Sequence, residues 1–147
     1  MIKIPPPILV IILTVSIYLS SKKIVLIHLP YRYLISTILL SIGFLVILNP
    51  VINFIKSKTT VNPIKFKNVN RLVTSGIFKI SRNPMYLGMI IIVLSSTVFY
   101  LNIYSIFTPF IFYFWINRFQ IKREEKFLTE KFGEEYLLYK TRTRRWI

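Results

Sequence analysis

Arg82, Asn83 and Pro84 stand directly before an apolar run, in the stretch ISRNPMYLG (80–88), with Tyr86 and Gly88 one turn inside it. Pro84 suits the first position of a helix and Asn83 its cap. A helix that opens there presents unpaired N–H groups and its positive dipole end, which together make an anion site, and Arg82 adds a full charge to it. Tyr86 offers a ring face and a hydroxyl, and Gly88 lets another backbone or a ligand come close. The same residues also describe a capped helix with an interfacial arginine and tyrosine. Physics alone leaves both readings open.

A second set of chemical groups lies in RFQIKREEKFLTEKFGEEYLLYKTRTRRWI, from Arg118 onward. Ile121, Leu128 and Phe132 fall on one stripe at helical spacing. On a wheel of ~100° per residue, Glu125 lies inside that stripe and Glu124 on its edge. A carboxylate on an inward face is costly without a partner. The helical neighbours of Glu124 are Gln120, Ile121, Phe127 and Leu128, none of them cationic, and Glu125 has only Lys122. By contrast Glu130 faces Lys126, and Glu134 and Glu135 follow Lys131 at helical spacing, as solvated pairs do. Glu124 and Glu125 are therefore the acids that need partners from elsewhere in the chain. Gly133 suits a helix C-terminus, with a second short helix from Glu134. The closing YKTRTRRWI carries four cations and Trp146, which fits either an anionic leaflet or the wall of a site.

These groups must be positioned by membrane helices. The chain has 147 residues, enough for one domain, with 54% apolar, 16% aromatic and 17% charged residues. The apolar residues form long runs, which favours a membrane protein. The chain has no cysteine, which excludes disulfides, thiolate metal sites and cysteine nucleophiles. The lone His28 cannot build a metal site by itself, so no metal is expected. The net charge is +15 and every acid lies between Glu124 and Glu135. Nucleic acid is one partner for such a charge; retention of Lys and Arg in cytoplasmic segments is the plainer cause, and no nucleic-acid partner is expected.

Four stretches can cross ~30 Å of hydrocarbon as helices: residues 5–20, 33–55 with Pro50 expected to kink it, and two from the block between Pro84 and Asn117. That block has 34 residues; at ~1.5 Å rise it is roughly 50 Å long, too long for one crossing. It is predicted to fold back at Leu101-Asn102 into spans 84–100 and 103–117. Loop 56–82 and the tail from 118 then share a side. Both are basic while the 101–102 turn is uncharged, so that side is the cytoplasm. A cleaved signal peptide at the first span is permitted by Lys3 and the serines at 16, 20 and 21, but Lys22-Lys23 and three early prolines favour retention. The aromatics Tyr31, Tyr33, Tyr100, Tyr104 and Trp115 fall near span ends, as interfacial anchors do. The expected fold is all-α and polytopic: about four transmembrane helices, a cytoplasmic C-terminal helical segment, and both termini inside. It is expected to be one domain, 1–147, with two spans and the start of the basic loop in 1–70 and the chemical residues in 71–147.

GIFKISRNPMYLGMII, followed about forty residues on by REEKFLTEKFGEEYLLYKTRTRRWI, resembles the isoprenylcysteine carboxyl methyltransferase and phospholipid methyltransferase family. Members show an arginine-histidine-proline-x-tyrosine-x-glycine stretch, a hydrophobic hairpin, then a glutamate pair ahead of a phenylalanine-glycine-x-glutamate-tyrosine element. The matching residues are Arg82, Pro84, Tyr86 and Gly88, then Glu124, Glu125, Phe132, Gly133, Glu135, Tyr136 and Tyr139, across roughly 71–146. Asn83 stands where the histidine usually is and cannot titrate near neutral pH. A mechanism that needs a proton-accepting histidine there does not carry over.

The resemblance implies S-adenosylmethionine held at the cytoplasmic edge and a lipid-like acceptor arriving from the bilayer. On that footing Asn83 and Pro84 receive the methionyl carboxylate with Arg82 contributing charge, and Tyr86 and Gly88 line the cofactor. Glu124 and Glu125 hold its amino group or ribose hydroxyls. Tyr136, Tyr139, Arg142 and Arg144 close the pocket or meet the acceptor, which is a carboxylate, amine or thiol. Two other classes remain open at this stage. One is an NADPH-dependent membrane reductase of related architecture. The other is a non-enzymatic membrane protein whose basic tail binds anionic lipid or a partner.

Overall fold

The computed structural model describes residues 4–24, 27–56 and 71–147. Lys3 and most of the basic loop expected after the second span lie outside them. The regular elements among the described residues are helical: α1 (Pro6–Ser21), α2 (Arg32–Lys56), a 3-10 turn (Gly76–Lys79), α3 (Pro84–Tyr100), α4 (Ile103–Trp115), a π segment (Ile116–Ile121), α5 (Lys122–Phe132) and α6 (Glu134–Arg142).

Each boundary has a local cause. Proline occupies the first turn of α1 and of α3, where a missing N–H is no loss. At the end of α1, the Ser20 and Ser21 hydroxyls bond back to the carbonyls of Ile17 and Tyr18, both at 2.7 Å, in competition with further helix. The turn between α3 and α4 is closed by a capping box: Ser105 N donates to Asn102 Oδ1 at 2.9 Å and Asn102 N to Ser105 Oγ at 3.0 Å. Gly133, at φ +49°, ends α5 and opens α6.

Among the described residues, α2 alone is long and apolar enough to cross a membrane by itself, over Arg32–Asn53. α1 and α3 are apolar but have 16 and 17 residues, and α4 has 13. Pro50 lies inside α2. The four helices pack around Leu9 and Leu13 of α1, Tyr86, Met89 and Val93 of α3, and Phe112, Ile116 and Ile121. α2 meets α3 most intimately where Gly43 faces Gly88. A Cβ on Gly88 would lie 2.8 Å from the Gly43 carbonyl oxygen and 2.5 Å from Ile47 Cγ1. The two backbones touch there because neither residue has a side chain.

At the hairpin end the helices are joined by neutral hydrogen bonds. Ser36 and Ser95 donate to each other's carbonyls at 3.1 and 2.9 Å. Thr97 donates to the Ser105 carbonyl at 3.1 Å, and Asn102 reaches Ser20 at 3.3 Å. One expectation needs correction. The apolar stripe predicts a regular helix from Arg118, with α4 running to 117; the chain instead passes through the π segment before α5 begins. Its i→i+5 bonding inserts a residue into the turn and shifts the phase of everything after it.

Candidate functional site

The N-terminal end of α3, the first turn of α5 and the last residues of the chain converge. Residues after α6 turn extended at Thr143 and run back to the segment before α3. Arg82 N donates to the Arg144 carbonyl at 3.0 Å, and Asn83 Nδ2 to the Arg145 carbonyl at 2.9 Å. Ser81 Oγ also reaches the Arg145 carbonyl, at 3.4 Å. Asn83 does stand at the cap position, yet its side chain makes no capping bond. The cap expected of it is corrected: its amide is spent on holding the tail.

Two carboxylates fill the junction. Glu124 Oε1 accepts from the buried Tyr86 hydroxyl and, at 2.6 Å, from Gln120 Nε2. Burial pushes the Glu124 carboxyl up to about 7. Glu125 is gripped by Arg145 through two bonds, Nε to Oε1 at 3.0 Å and Nη2 to Oε2 at 2.7 Å. These bonds raise the Arg145 guanidinium further above its ordinary value. Arg82 Nη1 stands 3.2 Å from the same carboxylate, with its side chain only 9% exposed. Neither Arg82 Nε nor Nη1 is aligned for a hydrogen bond with any described group. A buried guanidinium with donors to spare is an anion receptor in chemical terms.

Tyr136 is buried beside Arg82 and the two glutamates, and that burial raises its phenol above the ordinary value. Tyr139, raised by burial too, donates to the Phe78 carbonyl of the 3-10 turn at 2.6 Å. Tyr139 and Arg142 also line an open groove of about 460 Å³ with Thr74, Lys79, Glu135, Leu138 and Thr143. The groove lies beside the carboxylate cluster, and neither Arg82 nor Glu124 lines it.

Of the residues singled out in the sequence, Arg82, Asn83, Pro84, Tyr86, Glu124, Glu125 and Tyr136 come together. Gly88 is turned toward α2, so its bare backbone admits a helix. Arg142 and Arg144 have exposed side chains, and Arg144 meets the cluster through its carbonyl alone. Sequence reasoning missed Gln120 and Arg145. Gln120 was visible as the residue four before Glu124, overlooked because only cations were sought as partners. Nothing in the RTRR run distinguishes Arg145 from Arg142 or Arg144, since the tail after α6 is irregular and has no period.

An uncharacterized protein of Haemophilus influenzae is 44% identical over 63 residues, which is 43% of this chain and the whole of the relative. No solved structure matches the chain. The family model described as phospholipid methyltransferase matches residues 31–135, from the start of α2 into α6. That is most of the sequence, and the chain belongs to the phospholipid methyltransferase family.

Proposed function

We propose that the protein transfers a methyl group from S-adenosylmethionine to a lipid-like acceptor at the cytoplasmic face of a membrane. The observation that carries this is the meeting of Arg82, Tyr86, Glu124 and Glu125 at one end of α3. The chain's groups fit the cofactor on their own chemistry. Arg82, buried and with unmatched donors, suits a carboxylate, and the α3 N-terminus adds its dipole. Glu124 suits an amino group or ribose hydroxyls, and its burial keeps water from competing. Glu125 keeps Arg82 and Arg145 in place while offering its remaining lone pairs. Tyr86, bonded to Glu124, holds that carboxylate's orientation.

The cofactor would supply an electrophilic methyl: the acceptor's lone pair forms the new bond to carbon as the carbon–sulfur bond breaks, its electrons staying on sulfur. The protein's share is alignment of the acceptor and exclusion of water. An amine must first lose its proton; a carboxylate or thiolate needs no base.

The reading places the single domain in the bilayer with four crossings and both termini in the cytoplasm. Large apolar side chains face outward on α1, α2 and α4, among them Ile11, Leu34, Leu45, Phe110 and Phe114, each 59–66% exposed. Hydrocarbon is the solvent that such faces suit. Short α3 and α4 form a hairpin that reaches the far side at Leu101-Asn102, where no charge has to cross.

The protein purified in detergent is expected to bind S-adenosylmethionine. Glu124→Ala and Arg82→Ala should each weaken that binding by roughly tenfold, about the worth of one charge-assisted hydrogen bond. Unchanged affinity in both variants overturns the site assignment. Incubation with methyl-labelled cofactor and total lipid extract would then identify the product.

A further inference from the structure

The open groove of about 460 Å³ beside the carboxylate cluster has charged walls of both signs. Lys79 closes the 3-10 turn and Arg142 closes α6, and both side chains are exposed. Among the described residues neither cation has an ion-pair or hydrogen-bond partner, and the hydroxyls of Thr74 and Thr143 are likewise unused. Tyr139 brings the two cations to one place. It stands one turn before Arg142, and its hydroxyl donates at 2.6 Å to the carbonyl of Phe78, the residue before Lys79. The carboxylate on the groove, Glu135, lies in the first turn of α6, seven residues before Arg142. At ~1.5 Å per residue that is roughly 10 Å along the helix, about a Debye length at ~0.1 M salt. The Arg142 end therefore keeps a positive field.

From the groove the chain leaves by two segments that are clasped together at the carboxylate cluster. One runs from Lys79 to Arg82 and Asn83, the other from Arg142 to Arg144 and Arg145. Arg82 N donates to the Arg144 carbonyl at 3.0 Å, and Asn83 Nδ2 to the Arg145 carbonyl at 2.9 Å. Lys79 and Arg142 are like charges at the open end of this clasp and push its arms apart. An anion between them reverses that force.

We propose that the groove is an effector site for a phosphate group, held between Lys79 and Arg142, and that its occupation tightens the clasp at Arg82. A phosphate monoester carries a charge of about −1.5 to −2 near neutral pH and has acceptor oxygens for several donors at once. That matches two cations and two free hydroxyls, whereas a carboxylate brings a single charge. Arg142 can grip two of the oxygens in its planar fork while Lys79 answers as a point charge. The phosphate fills only part of the groove, and Leu138 and Tyr139 give the rest an apolar wall for whatever carries it. Phosphate binding stands by itself; its effect on the cofactor rests on the methyl-transfer reading above. A tighter clasp holds Arg145 on Glu125 and Arg82 beside it, so cofactor affinity rises with phosphate, and phosphate affinity with cofactor.

The test titrates the full chain in detergent with inorganic phosphate, with dihexanoyl phosphatidic acid, and with acetate at equal ionic strength. Both phosphates are expected to raise the thermal unfolding midpoint by roughly a few degrees and to slow amide exchange at Arg82, with acetate doing neither. A response to the lipid at about tenfold lower concentration assigns the phosphate to a membrane lipid, and equal responses assign it to a free phosphate. Lys79→Gln should abolish both responses while leaving the midpoint without phosphate no lower. Glu135→Gln, which deletes the opposing charge, should enlarge them. A response that survives in Lys79→Gln overturns the proposal, because the phosphate then sits elsewhere, as on Arg82. So does an equal response to acetate, or an Arg82 amide whose exchange phosphate does not slow. S-adenosylmethionine affinity is expected to rise about fivefold at saturating phosphate, and not in Lys79→Gln. Unchanged cofactor affinity overturns the coupling. Failure of the unmodified protein to bind S-adenosylmethionine at all sinks the methyl-transfer reading alone, since the midpoint and the Arg82 exchange still decide the phosphate site.

Discussion

Around Leu101 and Asn102, at the hairpin end of α3, the buried polar side chains are neutral and answer one another. Around Arg82 and Glu125, at its other end, they are charged and keep donors to spare. Serine, threonine and asparagine at the first end tie α1, α2, α3 and α4 together through bonds of 2.9–3.3 Å. The second end gathers two carboxylates and two guanidiniums, yet Arg82 Nε and Nη1 make no hydrogen bond with any described residue, Nη1 meeting Glu125 only as an ion pair. The difference teaches where binding capacity lies. A polar group whose needs are met inside the protein holds helices together, whereas one left partly unmet has something to offer a ligand.

The sharpest way to break this contrast is Glu125→Ala. It removes the shared partner of Arg82, whose side chain is 9% exposed, and of Arg145, which at 34% can turn to water. Loss of roughly 3 kcal/mol or more is expected, because one buried charge is left uncompensated. A thermal unfolding midpoint in detergent close to the unmodified value would show that the charged end is not held as described.

Next in size is a pH effect at Glu124. Its carboxyl is held up to about 7 against an ordinary 4.5. Between those values the unfolded chain releases its proton while the folded protein keeps it. The group's contribution is thus complete below pH 4.5 and lost as the pH rises through 7. The loss is at most about 3 kcal/mol, at ~1.4 kcal/mol per unit. Glu124→Gln, which can still accept from Tyr86 and Gln120, should flatten this part of the profile. A profile between pH 5 and 8 that is the same with and without the carboxyl would contradict the burial.

One turn in from the charged end, Gly88→Ala tests the helix crossing on which both ends depend. Its Cβ would press on the Gly43 carbonyl and on Ile47, and backbone cannot yield as a side-chain tip can. About 1–3 kcal/mol of destabilisation is expected, typical of overpacking. Cofactor affinity should change little, since Gly88 is turned away from the cluster. A variant of full stability would mean that α2 and α3 are not in backbone contact.

How much of this was legible in the sequence follows from the kind of signal each part leaves. Hydrophobic runs marked α1, α2 and α3 to within a residue or two, because a proline or a polar turn stops each one. Gly133 announced the α5–α6 break, and Glu130 its exposed pair with Lys126, at 3.8 Å. Glu124 and Glu125 stood out as carboxylates lacking helical cations. The identity of Glu125's cationic partners was hidden for a different reason. Arg82 and Arg145 are 63 positions apart and meet through the path of an irregular tail, which leaves no period to read. The π segment was equally silent, since one inserted residue changes the phase of a helix without changing its composition. Asn83 illustrates a third limit: its type fitted a cap, but a tail carbonyl absent from any local pattern competes for its amide.

The smallest expected effect sits at the neutral end and is the one that gives the comparison its scale. Ser95→Ala removes a donor to the Ser36 carbonyl at 2.9 Å and a hydroxyl contact at 3.2 Å. Ser36 Oγ can still donate to the Ser95 carbonyl, a bond of 3.1 Å that the substitution spares. Both carbonyls lie within helices whose own ladders serve them, so no buried group is orphaned. Interhelical hydrogen bonds of this kind are worth about 0.6 kcal/mol on average in membrane proteins, because the separated helices find other partners. Ser95→Ala should therefore lower the unfolding midpoint slightly and leave cofactor affinity untouched, with Ser36→Ala/Ser95→Ala roughly doubling the effect. A loss at Ser95 as large as that at Glu125 would erase the distinction between the two ends, since the neutral bonds would then be as hard to replace as the buried charges.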